Sequence, residues 1–594
     1  MPALSAQRRD LDFLLFDMLG VQGLTRAPRF VEHSRETFGA ALDAAQEIAE
    51  REYAPLNALL DADEPRMVNG EVRLPAELKP ALAKALAAGF NAATFDADQG
   101  GMQLPQVVAQ SCWALFKGAC VAADTYCSLS IGVANMLSRF GTPAQRATYL
   151  GPLLSGRCFG TMVLTEPQAG SALADVRASA TPLAHGGYAI RAQKIFITAG
   201  DHGLAENIVH LVLARLPDAP AGVKGLSLFI VPKYRVEPDG SCGAANDVVL
   251  AGLIHKMGSK GTTSALLQFG AQGACVGELL GEPHQGLACM FHMMNEARIN
   301  VGIAATMLAA AGYRHALAYA RERVQGRASA DPRSNPVPIV RHADVRRMLL
   351  AQKAIAEGGL SLCLQGALWA DEQQVADSAQ ARDLAGALLD LMTPVIKAWC
   401  ASQGRVANAL AIQVLGGYGY TRDHPVEQHY RDNRLNSIHE GTDGIQALDL
   451  LGRKVGARGG EALAALGRLV ASTIAQSRLS PPLAELAAAL ERAWGELHDT
   501  TALLVRELPR APQLALANAS LYLHVFGHTV VAWMWLRQAL AAASRLESPD
   551  QAFHQAKLAA THYFFRYELP QTRPLHDLLR RLDPLLTELD DAVL

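Results

Sequence analysis

"GYAIRAQKIFITAG", Gly187 to Gly200, is a short run rich in β-branched and aromatic residues with glycine at both ends, the pattern of a strand between turns. It has company. Between Phe159 and about Gly281 similar runs recur as "FGTMVLTE", "NIVHLVLARL", "GLSLFIVPKY" and "SALLQFG", each bounded by Gly, Pro or Asp. No long helical pattern intervenes, so the segment reads as an antiparallel sheet or barrel rather than a doubly wound one.

The texture changes on either side. Upstream to about Gly156, stretches such as "ETFGAALDAAQEIAEREYA" (Glu36 to Ala54) repeat apolar residues at three and four, the period of an amphipathic helix, and "ADQGGMQLP" (Ala97 to Pro105) is a Gly-rich interruption. Downstream, helical patterns run from Gln285 to Val324, Ile339 to Trp369 and Ala381 to Leu415. With a helix beginning near Asp443 they suit a four-helix bundle. "GRKVGARGG" (Gly452 to Gly460) marks a boundary, and residues 461–594 are again helical, with Ser480 placed as an N-cap before two prolines. The expectation is a mainly α chain with a central antiparallel β-domain, divided as 1–158, 159–281, 282–455 and 456–594.

Composition narrows the function classes. A chain of 594 residues must divide into several cores, and half its residues are hydrophobic with 19% charged, a globular balance. A formal charge of -3 steers it neither to nucleic acid nor to an anionic membrane. The cysteines at 112, 120, 127, 158, 242, 275, 289, 363 and 400 form no CxxC pair or metal-ligand spacing with histidine, so they read as small buried hydrophobes in a reducing compartment and no metal is expected. "MPALSAQRRDLDFLLFDML" fits no secretory or transit signal, and no membrane span is read, which leaves the cytoplasm as the default.

Chemistry concentrates in "RLNSIHEGTDGIQALDLLGRK", Arg434 to Lys454. Asp443 and Gln446 read as an N-cap pair, and Ile445, Leu448 and Leu451 as one helical face, which leaves Glu440 just outside the helix in a glycine-bounded turn. Alone, Glu440 reads as a solvated or capping carboxylate. Four further segments give it context: "LTEPQAGS" (Leu164 to Ser171), "KIFITAG" (Lys194 to Gly200), "ARERVQG" (Ala320 to Gly326) and "QVLGGYG" (Gln413 to Gly419). In that order, with "HKMGSKGTTSALLQF" (His255 to Phe269), they resemble the acyl-CoA dehydrogenase flavoprotein family over about residues 40 to 455. The C-terminal block and "RRDLDFLLFDML" are similar to its larger, 3-methylmercaptopropionyl-CoA dehydrogenase-like subgroup.

The resemblance implies an FAD enzyme of helical domain, β-domain and helical bundle that converts an acyl-CoA to the trans-2-enoyl-CoA and passes electrons to an electron-transfer flavoprotein. It places Glu440 at the catalytic base, which takes the α-proton while the β-hydrogen leaves as hydride to flavin. An α-proton beside a thioester is weakly acidic, so such a base needs desolvation and the carbonyl needs donors for a developing enolate. It assigns Leu164, Thr165, Gly170, Ser171, Phe196, Thr198, Arg323, Gln325, Gln413, Gly416, Gly417, Thr442 and Gly444 to the cofactor, and Ser171, Asn295, Arg298 and Gly441 to the substrate. Taken singly, these are also a strand-ending turn, a core aromatic at Phe196, a surface arginine at Arg323, a helix C-cap at Gly416 and a solvated helix arginine at Arg298. The Arg323 and Gln413 segments imply a homodimer or higher oligomer, since the family uses them on the neighbouring subunit's cofactor. Four departures concern the substrate or cofactor contacts: Asn295 for an acid, Ala172 after Ser171 for Asp, His439 before Glu440 for Tyr, and no phenylalanine after Gln325. Two related activities share many of these segments, an oxygen-using acyl-CoA oxidase and a DNA-binding alkylation-response flavoprotein. The mixed charges of "RRLDPLLTELDDAVL" argue against the second.

Overall fold

The computed structural model describes residues 5–273, 275–328 and 333–594, with residues 5, 6 and 291–295 described by backbone alone. The chain forms two compact units: residues 37–104 with 115–300, and residues 1–36, 105–114 and 301–594.

The first unit is built on one eight-stranded sheet. Its strands are β1 (Cys158–Val163), β2 (Ser179–Pro182), β3 (Tyr188–Thr198), β4 (Asn207–Arg215), β5 (Leu226–Pro232), β6 (Val248–Leu253), β7 (Ser264–Phe269) and β8 (Cys275–Leu280). They lie in the order β6-β7-β3-β8-β5-β4-β1, with β2 beside β3 and β4. Most pairs are antiparallel, as the turn-separated runs imply, but β1 joins β4 in parallel. β4 and β5 are buried along nearly their whole length, which is why they read as continuous apolar runs. The registers of β3 and β7 slip between Ala265 and Leu267, where Ile195 and Phe196 together face the single Leu266 as a β-bulge.

The second unit is helical. Its long helices, Ala343–Val375 and Ala379–Leu415, pack with the C-terminal part of Gly286–Glu322 through Ala316, Ala320, Met348, Leu349, Ala411 and Val414. The helix expected from Asp443 begins there and runs seven residues, Asp443–Asp449, before a wider turn to Lys454, and it is preceded by a helix at Val426–Leu435 and a turn. The C-terminal helices, chiefly Glu461–Arg478, Ala484–Glu507, Ala519–Ala543 and Gln551–Tyr563, belong to this same unit. Ser480 sits at an N-cap position but its hydroxyl makes no cap bond.

Two helical stretches, Gln106–Phe140 and Ala379–Tyr420, prove apolar and long enough to cross a membrane by composition, against the expectation that none is. In each, 78% of the apolar window is buried inside the structure, as in core helices. All nine cysteines are free thiols; Cys242 is exposed and Cys158 half-buried, and the rest are buried. Among the described residues no cluster of His, Cys, Asp or Glu is placed to hold a metal ion.

Candidate functional site

The sheet unit gathers one group of the sequence-identified residues. β1 ends at Val163, and the loop that follows is held to β3 by main-chain and side-chain bonds. Ile195 N donates to Thr165 O at 3.0 Å, and Thr161 Oγ1 donates to Thr198 O at 2.6 Å. The fully buried Lys194 donates to Leu164 O at 2.8 Å and to Leu213 O at 3.1 Å, and pairs with Glu166 at 2.9 Å. Burial works to raise the Glu166 carboxyl, but the N–H of Arg177, the Lys194 charge and the N–H of Ala178 outweigh it and hold the group below its ordinary range. Glu166 N and Ala169 N bond each other's carbonyls at 3.0 Å, closing the "EPQA" turn and leaving Gly170 and Ser171 exposed beyond it.

Phe196 excludes the core-aromatic reading. It stands 59% exposed at the bulge with φ +58°, and Ala199 is left-handed at φ +52°. A non-glycine residue in this region costs about 1 to 3 kcal/mol, and its occurrence in an active protein is associated with ligand sites. A fixed, exposed aromatic beside the half-buried Thr165 and Thr198 is a platform for a flat ligand with polar edges. Arg298, in the same unit, is only 3% exposed, so it is not a solvated helix arginine. The side chain of Asn295 lies outside the described residues.

The helical unit carries the other group. Glu440 is half-buried at φ +53° and Gly441 follows at φ +84°, two consecutive left-handed residues between helices. The turn is fastened at several points. Gln446 Nε2 donates to Glu440 O at 2.9 Å, and Asp443 N donates to Ser437 O at 3.2 Å. The cap expected from Asp443 and Gln446 is made instead by Thr442, whose hydroxyl accepts from Ile445 N at 3.3 Å. Thr442 has the extended backbone a cap needs, while Asp443 is already helical and turns its carboxylate to the buried Lys397 at 3.4 Å. The buried face is Gln446, Ala447, Leu450 and Leu451, and Leu448 is 43% exposed, so the apolar face expected at Ile445, Leu448 and Leu451 is rotated. Gly444 lies in the first turn.

Arg323 and Gln325 are exposed and bonded to each other, Nη2 to Oε1 at 3.0 Å. Gln413 is exposed at the end of Ala379–Leu415, and Gly416 is that helix's cap, φ +61°, its N–H donating to Gln413 O. A side chain on Gly416 or Gly417 would meet nothing within 4 Å. These two segments meet through Tyr319, Tyr418 and His424, whose rings lie 5.8 to 6.3 Å apart. Sequence reasoning passed over the roles of Lys194 and Lys397 and read Gln446 only as part of a cap, because each acts on a partner that only the fold brings near.

Comparison with known proteins agrees with this arrangement. Residues 36–157 match the acyl-CoA dehydrogenase N-terminal domain, residues 284–455 its C-terminal domain, and residues 466–590 the acetyl-CoA dehydrogenase C-terminal-like domain. The chain is 37% identical to a 3-methylmercaptopropionyl-CoA dehydrogenase of Ruegeria pomeroyi, over 92% of this chain and 93% of that one. It is 35% identical to the broad-specificity linear acyl-CoA dehydrogenase FadE5 of Mycobacterium tuberculosis, over 98% of each. Its fold matches an acyl-CoA dehydrogenase of Bacillus anthracis complexed with FAD, with a TM-score of 0.74 at 20% identity over 95% of this chain and 90% of that one. The chain therefore belongs to the acyl-CoA dehydrogenase family of FAD-dependent oxidoreductases, among the members that carry a C-terminal extension domain.

Proposed function

We propose that Glu440 is the base that removes the α-proton of the acyl-CoA, and that the surface around Phe196 seats the flavin. The observation that carries this is the Glu440–Gly441 turn, in which a carboxylate is held on strained backbone by bonds from both sides. Ordinary solvated glutamates need no such fastening.

The donor set of the sheet unit fits FAD: an exposed aromatic face at Phe196, hydroxyls at Thr165 and Thr198, and the open turn at Gly170 and Ser171. FAD, when bound, supplies the hydride acceptor for the β-hydrogen. Phe196 excludes water from the ring, the two threonines orient its polar edges, and Leu164 is held in place by Lys194. On the substrate side, Glu440 accepts the α-proton and its main-chain N–H, next to Gly441, steadies the thioester oxygen as negative charge develops there. Ser171 and Arg298 serve the coenzyme A arm. The product is the 2-enoyl-CoA, and electrons leave to an electron-transfer flavoprotein. A second copy of this chain receives the Arg323–Gln325 and Gln413–Gly417 segments against its cofactor. Their exposure supports that reading, as do the neighbouring Tyr418 and Tyr420, 52% and 89% exposed.

The test is anaerobic bleaching of the flavin by a panel of acyl-CoAs, run on the wild type and on Glu440→Gln. The variant keeps its FAD and its melting temperature but reduces flavin at least about a hundredfold more slowly. An undiminished rate rejects Glu440 as the base.

A further inference from the structure

Behind the Glu440 turn lies a line of side-chain amides whose hydrogen-bond directions are all determined. Asn408 Nδ2 donates to Leu308 O at 2.9 Å, and Asn433 Nδ2 donates to Ala305 O at 3.0 Å. A main-chain carbonyl only accepts, so these bonds decide which way each amide faces. Asn433 Nδ2 also reaches Asn408 Oδ1 at 2.7 Å, which leaves Asn433 Oδ1 to accept from Asn436 Nδ2 at 3.0 Å. Asn436 Oδ1 is then an acceptor, and His439 Nε2, 3.0 Å away, must carry a proton. All three asparagines are buried, so none trades these partners for bulk water.

We infer that His439 is a positioning residue: the amide line from Leu308 and Ala305 through Asn408, Asn433 and Asn436 fixes its ring with Nε2–H toward Asn436, and that bond, on the residue just before Glu440, anchors the entry to the left-handed Glu440–Gly441 turn. The inference rests on the reading of Glu440 as the base.

Two features of the surroundings fit this role. Burial, with the Lys397 charge second, pushes the His439 imidazole down to about 3, so it stays neutral at physiological pH. A charged imidazole beside Glu440 would stabilise the carboxylate and weaken it as a base. The ammonium that bears on the ring, Lys397, is matched by Asp443, on which the Arg405 charge also bears. The line also ties the turn to two separate helices, since Leu308 and Ala305 lie on Gly286–Glu322 and Asn408 on Ala379–Leu415.

Full-length, FAD-loaded His439→Leu, His439→Gln and Asn436→Leu are compared with the wild type by rapid-mixing flavin bleaching, using whichever acyl-CoA the wild type oxidises fastest. In His439→Leu the rate at saturating substrate falls at least about tenfold while the half-saturating concentration moves less than about twofold, as expected when a reacting group is displaced and binding is not. Asn436→Leu, which breaks the line without touching the ring, shows the same split. His439→Gln keeps an N–H that reaches Asn436 and recovers most of the loss. An unchanged rate in His439→Leu, or a His439→Gln as slow as the leucine variant, overturns the inference. Should the leucine variants lose FAD, His439→Asn, polar but too short to reach Asn436, is set against His439→Gln, and equal rates overturn it. A slow Glu440→Gln beside a fast His439→Leu removes the positioning role alone, whereas a fast Glu440→Gln removes the base assignment beneath it.

Discussion

Glu440 shows how a turn can be legible in the sequence while its geometry is not. Its place in "HEGTDG" marks a turn, but the left-handed φ of +53° has no trace in a glutamate's identity. Glycine would adopt that conformation freely, whereas any side chain there costs about 1 to 2 kcal/mol. The carboxylate is kept against that cost. Glu440→Gly is therefore expected to melt above Glu440→Ala, by the roughly one degree that about 1 kcal/mol implies for a unit this large, with both inactive. Equal melting temperatures would show that the turn carries no strain. Gly441 beside it, at φ +84°, also leaves room for Gln446, whose Nε2 would lie 2.6 Å from an added Cβ.

At the scale of the element, the loop after β1 is held by a buried ion pair rather than by its own turn chemistry. Lys194 and Glu166 are both buried, and between them they satisfy Leu164 O, Leu213 O and the N–H groups of Arg177 and Ala178. Removing one partner of such a pair leaves the other charge without compensation, a loss of about 3 to 5 kcal/mol. Lys194→Met is expected to unfold at markedly lower urea and to release FAD, and adding Glu166→Gln to recover part of that loss. A single variant as stable as the wild type would show that the pair is dispensable. The sequence signals the strand and the turn here, since both are local. It carries no sign of the pair, whose members are twenty-eight positions apart and meet only when β3 lies against the loop.

For the molecule as a whole, the C-terminal extension is part of the core of the helical unit. Trp399 Nε1 donates to His528 Nδ1 at 3.0 Å, and Trp535 Nε1 donates to Ala354 O at 3.0 Å. Gly358 and Gly527 sit so close to these indoles that a Cβ would come within 2.6 Å and 2.3 Å of them. The fully buried Lys557 joins Asp10, Glu357 at 2.8 Å and Gln538 at 3.0 Å, tying the N-terminal helix, the bundle and the extension together. Each large apolar side chain left bare costs about 1.5 to 3 kcal/mol, and a domain has only about 5 to 15 kcal/mol to lose. A chain ending at residue 460 is expected to be insoluble or molten by size exclusion and near-UV circular dichroism. A compact monodisperse 1–460 fragment that binds FAD would contradict this.

Helix and strand type were determined by the sequence alone, because apolar period and turn residues act over a few positions: the β-rich run from Phe159, the helices through Leu415 and the glycine turn around Glu440 were all readable. So was the kind of chemistry, because the separated segments each keep residue types that it needs. Tertiary structure alone decided the rest. Phe196 became an exposed platform only when a bulge turned it out of the sheet, Thr442 displaced Asp443 as the cap once Lys397 engaged the acid, and the proton on His439 was placed by carbonyls more than a hundred residues away in the chain. These are outcomes of competition between partners for hydrogen bonds and burial, and the competitors are known only when the chain has folded.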